Sequence, residues 1–246
     1  MQISHIQPMR EFVWVSTTHG LVAFALALGL TGGPALQVSA RSDVDGAALV
    51  GVAHVVDGDT ITIGETRVRL EGIDAPEAGQ TCPRRWIGTW ACGAAATARL
   101  GQLVGDKPVT CQTRGLDRYG RVLAVCFADG RDINAQMVRE GLAWAFVKYS
   151  HTYVREEAQA RAEGVGIWQA ETLPAWEFRS RRWATAESAA PEGCAIKGNV
   201  TRNGRIYHTP WSPWYGQIRM EPDKGKRWFC TEAEALAAGW RPVAAH

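Results

Sequence analysis

Alternation of apolar and polar positions is concentrated in the middle of the chain. Residues 51–56 (GVAHVV) are rich in β-formers and run into Asp57-Gly58-Asp59, a turn signal. Residues 60–63 alternate, Gly64-Glu65 turns, and residues 66–70 (TRVRL) alternate again, which predicts a three-stranded meander. In its third strand Arg67 and Arg69 share one face, while Val68 and Leu70 share the other. The alanine-rich stretch 92–103 predicts a helix. Residues 109–113 and 122–127 predict a hairpin around Asp117-Arg118-Tyr119-Gly120. Asp132 can cap a helix running to Leu142, with Ile133, Met137 and Val138 at helical spacing, and residues 151–163 predict a third helix stopped at Gly164. Three strands, a helix, two strands and two helices predict a mainly β, α+β domain. Its simplest form is a closed five-stranded barrel of the OB type with three helices attached.

Beyond Gly166-Ile167-Trp168 the pattern breaks. Residues 171–191 hold Trp176, Trp183, Arg179, Arg181 and Arg182 and then an Ala/Ser/Glu/Pro stretch, which reads as a linker. Residues 192–246 form a small C-terminal module bracketed by Cys194 and Cys230, with a short helix predicted at 232–238. At the other end, residues 12–40 carry no Asp, Glu, Lys or Arg, and 21–30 (LVAFALALGL) is a compact apolar run. Gly32-Gly33-Pro34 and then Val38-Ser39-Ala40 follow, the order of a secretory signal peptide cleaved after Ala40. An uncleaved membrane anchor is the competing reading, because the uncharged stretch is long enough to span a bilayer. The organisation expected is therefore an export segment at 1–40, a barrel domain at 41–170, a linker at 171–191 and a module at 192–246.

Composition adds constraints. Of 246 residues, 46% are hydrophobic and 21% charged, which excludes a disordered tail protein and a polytopic membrane protein. The net charge of +2 excludes a polybasic binder, but it is a sum of unlike parts: residues 41–175 sum to −2, 176–190 to +1 and 191–246 to +3. Six cysteines allow fifteen pairings. Proximity ranks Cys111–Cys126 across the hairpin, Cys82–Cys92 around an insertion, and Cys194–Cys230 in the tail. An exported chain favours three disulfides over buried thiols, and the lack of CxxC or CxxH spacing disfavours zinc.

Five side chains stand out as chemistry. Asp59 follows a tight turn, Arg69 ends the third strand, Asp74 and Glu77 follow in Ile73-Asp74-Ala75-Pro76-Glu77, and Arg121 follows the Tyr119-Gly120 turn. Pairing of the second and third strands brings Asp59 and Arg69 together at one sheet end, with Asp74 and Glu77 within one loop. Two carboxylates can hold a hard cation, a third can activate water, and guanidiniums can grip a phosphate bidentately. Taken singly, each is equally a surface carboxylate paired with an arginine.

Taken together the blocks resemble a known family. Val56-Asp57-Gly58-Asp59-Thr60, Arg69-Leu70-x-Gly72-Ile73-Asp74-Ala75-Pro76-Glu77 and Asp117-Arg118-Tyr119-Gly120-Arg121 are similar to the signature blocks of the staphylococcal nuclease (thermonuclease) family. Two later blocks, from Ala128-Asp129-Gly130 through Asn134 to Ala143 and at Gly166-Ile167-Trp168, follow in the family's order, so the resemblance covers residues 51–170. It implies Ca²⁺-dependent cleavage of DNA or RNA phosphodiesters to 5′-hydroxyl and 3′-phosphate ends. The export segment predicts a secreted or periplasmic protein, and a monomer is expected. Asp59, Asp74 and the backbone carbonyl of Ala75 are implied as Ca²⁺ ligands. Glu77 is implied as the residue that orients or deprotonates water, Arg69 and Arg121 as phosphate clamps, and Tyr119 and Tyr149 as nucleotide-packing aromatics. Val147 stands where a further aromatic is expected, which leaves base preference open. The alternative is a non-catalytic nucleic-acid- or surface-binding protein on the same fold. The tail's Trp211, Trp214, Tyr215, Trp228 and Trp240 could stack on bases or form the module's core.

Overall fold

The computed structural model describes residues 46–243. The expected export segment, residues 1–40, lies outside the described residues. Five strands form the barrel: β1 (Ala48–Val55), β2 (Thr60–Ile63), β3 (Thr66–Leu70), β4 (Pro108–Leu116) and β5 (Val122–Ala128). They run β3-β2-β1-β4-β5 in antiparallel order, and β5 returns to pair in parallel with β3 through Val68–Val122, Arg69–Leu123 and Leu70–Ala124. That parallel pairing closes the sheet, which leaves no barrel edge there. The barrel predicted from the alternation is thus present.

The alternation sorts side chains as the pleat requires. Val68 and Leu70 point into the core, as do Val109, Cys111 and Thr113 of β4. Cys111 and Cys126 are direct partners across β4 and β5 and form a disulfide inside the core. Helix α1 (Cys92–Val104) packs Ala96, Leu100 and Val104 on the barrel core, while Cys92 joins a second cluster. Helix α2 (Ile133–Arg139) is capped by Asp132, whose carboxylate accepts from the Ala135 N–H. It stops three residues before the expected Leu142. Gly141 has φ +65° there, and a Cβ on it would lie 2.4 Å from the Val165 carbonyl, so the chains cross too closely for a helix to continue. Helix α3 (Val154–Glu163) ends on Gly164 in the left-handed conformation.

The stretch expected to be a linker is largely helical. Residues Ala175–Ala189 form α4, and its sheltered positions Ala175, Phe178, Arg179, Trp183 and Ala186 recur at helical spacing. Ala175 is buried with Trp144, Ile167 and the Cys82–Cys92 disulfide, whereas Trp183 packs on the core of the C-terminal module. The module has its own small sheet of β6 (Ile196–Thr201), β7 (Gly204–His208), β8 (Arg227–Phe229) and β9 (Arg241–Pro242), in the order β8-β6-β7-β9. Helix α5 (Glu232–Ala237) and the Cys194–Cys230 disulfide complete it. Its core is Ile196, Tyr207, Phe229, Ala235 and Trp240, so Trp240 is a core residue; Trp228 and Trp214 are only half-buried. A domain of about 50 residues has little else to bury. Among the described residues no helix is long and apolar enough to cross a membrane.

Candidate active site

The site grows out of the β2–β3 pairing. Thr60 lies opposite Arg69 in the register, so the residue before Thr60 faces the same guanidinium. Arg69 Nη1 donates to Asp59 Oδ1 at 2.5 Å, and its Nη2 donates to Asp74 Oδ1 at 2.8 Å. Asp59 is fixed from three further directions. Its Oδ2 accepts from the Ala75 N–H at 3.0 Å, its Oδ1 accepts from Thr60 Oγ1 at 3.1 Å, and its own N–H donates to Asp57 at 3.1 Å. Asp74 sits in a two-residue bridge, Ile73–Asp74 with Trp144–Ala145, and is fully buried.

Glu77 is held by its backbone. The Glu77 carbonyl accepts from Gln80 N–H at 2.7 Å, and Glu77 N–H donates to the Gln80 side-chain carbonyl at 3.2 Å. Gln80 is buried, and its amide nitrogen donates to the Leu173 carbonyl at 2.7 Å, just before α4 begins. The start of α1 presses on the same loop: a Cβ on Gly93 would lie 1.7 Å from the Glu77 carbonyl, so no larger residue fits. Gly58 is similarly confined, since a Cβ there would meet the Cβ atoms of Ala75 and Ala96 at 2.8 and 2.9 Å.

A third guanidinium enters from α4. Arg179 Nη1 donates to Glu77 Oε1 at 2.7 Å and to Asp74 Oδ1 at 3.1 Å, and its Nη2 donates to Asp74 Oδ2 at 2.8 Å. Asp74 therefore gives both oxygens to Arg179 and shares one with Arg69. Arg121 is oriented differently: its Nε donates to Asp117 Oδ2 at 2.7 Å, and it lies over the Tyr119 ring at 5.4 Å. Its charge still reaches Asp59 through space. Tyr149 is 71% exposed and packs edge-on against Phe146, which in turn stacks on Trp176 of α4. The structure thus joins Asp59, Arg69, Asp74, Ala75 and Glu77 in one network, with Arg121 and Tyr119 beside it and Tyr149 on a neighbouring surface.

Electrostatics separate the carboxylates. Burial pushes the Asp59 carboxyl up, but Arg69, with the Ala75 N–H, outweighs it and holds Asp59 below the usual carboxylate range. Burial dominates at Glu77, which is pushed up to about 8 despite the pull of Arg179. Asp57 is pushed up to about 6 by burial and by the Asp59 charge. For Arg69 and Arg179 burial opposes the charge, yet the carboxylates around them drive both further up. A clustered set of opposed shifts in one recess marks a candidate functional site.

The Asp59 and Asp74 carboxylates and the Ala75 carbonyl are hard oxygen donors, the class that takes Ca²⁺ or Mg²⁺. In kind they fit such an ion. The Asp59 and Asp74 carboxylates face Arg69 and Arg179 here, and among the described residues no three His, Cys, Asp or Glu side chains form a ready metal cluster.

The staphylococcal nuclease homologue family matches residues 67–170. An uncharacterized endonuclease of Escherichia coli is 37% identical over 139 residues, covering 53% of this chain and 84% of that protein. The chain belongs to the staphylococcal nuclease homologues. An uncharacterized endonuclease of Haemophilus influenzae is 38% identical over 124 residues, 48% of this chain and 64% of its own length. The succinoglycan biosynthesis protein ExoI of Rhizobium meliloti is 37% identical over 126 residues, 50% of this chain and 66% of its own length. The chain spans just under two thirds of the length of these last two relatives. A second family, ArfC, matches residues 179–242 and so begins at Arg179 itself.

Arg179, Gln80 and Gly93 were not among the sequence candidates. Arg179 lies beyond the nuclease-homologue match, in the stretch expected to be a linker, and the sequence there carries no motif that marks it. Gln80 and Gly93 carry no chemical signature of their own, because their roles come from what packs on them.

Proposed function

We propose that the protein is a Ca²⁺-dependent nuclease that hydrolyses phosphodiester bonds of DNA or RNA, leaving 5′-hydroxyl and 3′-phosphate ends. The observation that carries this reading is the convergence of Asp59, Asp74 and Glu77 with Arg69 at one end of a nuclease-homologue barrel. Asp59, Asp74 and the Ala75 carbonyl would hold the cation, which when bound supplies positive charge against the phosphate and lowers the barrier to deprotonating water. Glu77, in its ionised form, takes the proton from the attacking water as its oxygen bonds to phosphorus. The P–O5′ bond breaks, and the leaving oxygen takes a proton from solvent water to become the 5′-hydroxyl. Arg69 stabilises the extra negative charge of the pentacoordinate state, and Arg121 does so once it turns from Asp117 toward the phosphate. Burial of Asp59 and Asp74 fixes their orientation in advance.

The protein works outside the cytoplasm, as a monomer. The signal-like order of residues 1–40 supports export, as do three disulfides with no free cysteine among the described residues. Digestion of single- and double-stranded DNA and of RNA, with Ca²⁺, Mg²⁺ or chelator, tests the reading. Ca²⁺-stimulated cleavage with 3′-phosphate ends is expected. No Ca²⁺-stimulated cleavage would leave a non-catalytic nucleic-acid-binding protein, a reading that the Arg179 contact with Asp74 and Glu77 favours.

A further inference from the structure

The carboxylates that would hold a cation are already answered by charge from within the chain. Arg179 takes both oxygens of Asp74 and one of Glu77 at 2.7–3.1 Å. Asp74 Oδ1 also accepts from Arg69, so with two N–H donors on it this oxygen has no lone pair left to offer an ion. Three carboxylates meet two guanidiniums, which removes most of the negative potential that would draw a divalent cation. The exposure of the Asp74 side chain is 0% and that of Asp59 is 6%, so in this arrangement neither ion nor phosphate has an open approach.

The arm that delivers Arg179 is anchored at both ends. Ala175 is buried beside the Cys82–Cys92 disulfide, and Gln80 ties the Glu77 loop to Leu173 just ahead of the helix. Further along, Trp183 packs on the module core and lies 6.2 Å from the Trp211 ring. The Trp211–Pro213 loop returns to the catalytic side: a Cβ on Gly79 would sit 3.2 Å from the Trp211 carbonyl. The module therefore holds α4 against the loop that carries Glu77.

We propose that Arg179 is a built-in competitor of the divalent cation: α4 seats its guanidinium on Asp74 and Glu77, and the site admits cation and phosphate only when that contact is released. The inference rests on the nuclease reading for the identity of the cation site and goes beyond it in assigning the C-terminal segment a gating role. A guanidinium and a divalent ion satisfy the same carboxylates, so each weakens the other's hold by the same factor.

Isothermal titration of the full-length purified protein with CaCl₂ alone tests this. Arg179→Ala is expected to bind Ca²⁺ at least tenfold more tightly than wild type, and Arg179→Gln, which keeps the side chain's bulk, to tighten in the same direction. Equal or weaker binding in both variants overturns the proposal, as does absence of Ca²⁺ binding in all three proteins. Hydrogen exchange on the wild type needs no variant: saturating Ca²⁺ should speed exchange of amides 175–189, and Ca²⁺ binding with unchanged exchange there overturns the proposal. Cleavage assays on the same samples keep the two readings apart. Tighter Ca²⁺ binding by Arg179→Ala with no cleavage by any sample would sink the nuclease reading and leave the competition standing.

Discussion

The β2–β3 segment from Asp59 to Glu77 and the helix from Ala175 to Ala189 both deliver charged side chains to one recess, by opposite routes. The segment's residues are close in sequence: Arg69 meets Asp59 across a two-strand register, and Asp74 lies five residues beyond Arg69. Arg179 reaches Asp74 and Glu77 over separations of 105 and 102 residues, from a helix packed partly on a different module. A locally built constellation survives as long as its strands pair. One completed from afar depends on how a second unit is docked, so it can be removed or moved without unfolding the barrel. That difference is what allows the same carboxylates to serve chemistry in one state and be masked in another.

The largest expected effect lies on the local side. Glu77→Gln keeps the shape and removes the proposed base, so cleavage should fall by about 10²–10⁴-fold while circular dichroism stays native. Wild-type turnover in that variant would remove Glu77 from the chemistry. Next comes Gly93→Ala. A methyl group 1.7 Å from the Glu77 carbonyl cannot be accommodated without moving the loop, so the urea midpoint should drop by the equivalent of about 1–3 kcal/mol. Cleavage should fall with it. An unchanged midpoint would mean that α1 does not hold the Glu77 loop in place.

The same contrast explains what the sequence disclosed. Strand alternation exposed the barrel because Val68 and Leu70, or Val109 and Cys111, must face inward for any sheet to bury them. Turn residues and register then located Asp59, Arg69, Asp74 and Glu77, since a site built from adjacent strands is written in adjacent residues. Long-range docking leaves no such trace. Residues 175–189 have a composition that suits a linker, and their helical face is defined by Ala175, Arg179 and Trp183, one small, one charged and one aromatic, which no single periodicity of hydrophobic residues reveals. Gln80 was invisible for a related reason: a buried amide that bridges Glu77 and Leu173 looks in sequence like any surface glutamine.

Gln80 is therefore the residue that couples the two regions, and Gln80→Ala is expected to have an intermediate effect. It leaves the Glu77 N–H and the Leu173 carbonyl without partners in a buried setting, at a cost of about 1–3 kcal/mol. The urea midpoint should fall accordingly, and amides at the start of α4 should exchange faster than those of the barrel strands. Uniform acceleration through the whole chain would show instead that Gln80 supports the fold without linking the loop to α4.

The smallest effect is expected within the module. His208 is buried, has Ser212 Oγ at 3.3 Å from its Nδ1, lies near the Trp214 ring, and faces the Lys197 ammonium. Burial first, and Lys197 second, push its pKa down to about 4, so the folded module keeps the imidazole neutral. An unfolded His takes up its proton near its ordinary value of about 6.5. Between those two values the unfolded chain binds more protons than the folded one, so stability is full above the upper value and declines as pH falls toward the lower. One proton sets the limit, at about 1.4 kcal/mol per pH unit. Thermal unfolding of wild type and His208→Gln at pH 7.5, 6 and 5 checks the sign, since the other histidines contribute equally to both proteins. The wild type should lose ground to the variant as the pH drops. A difference between the two that is the same at all three pH values would mean that His208 is protonated as readily in the module as in the unfolded chain.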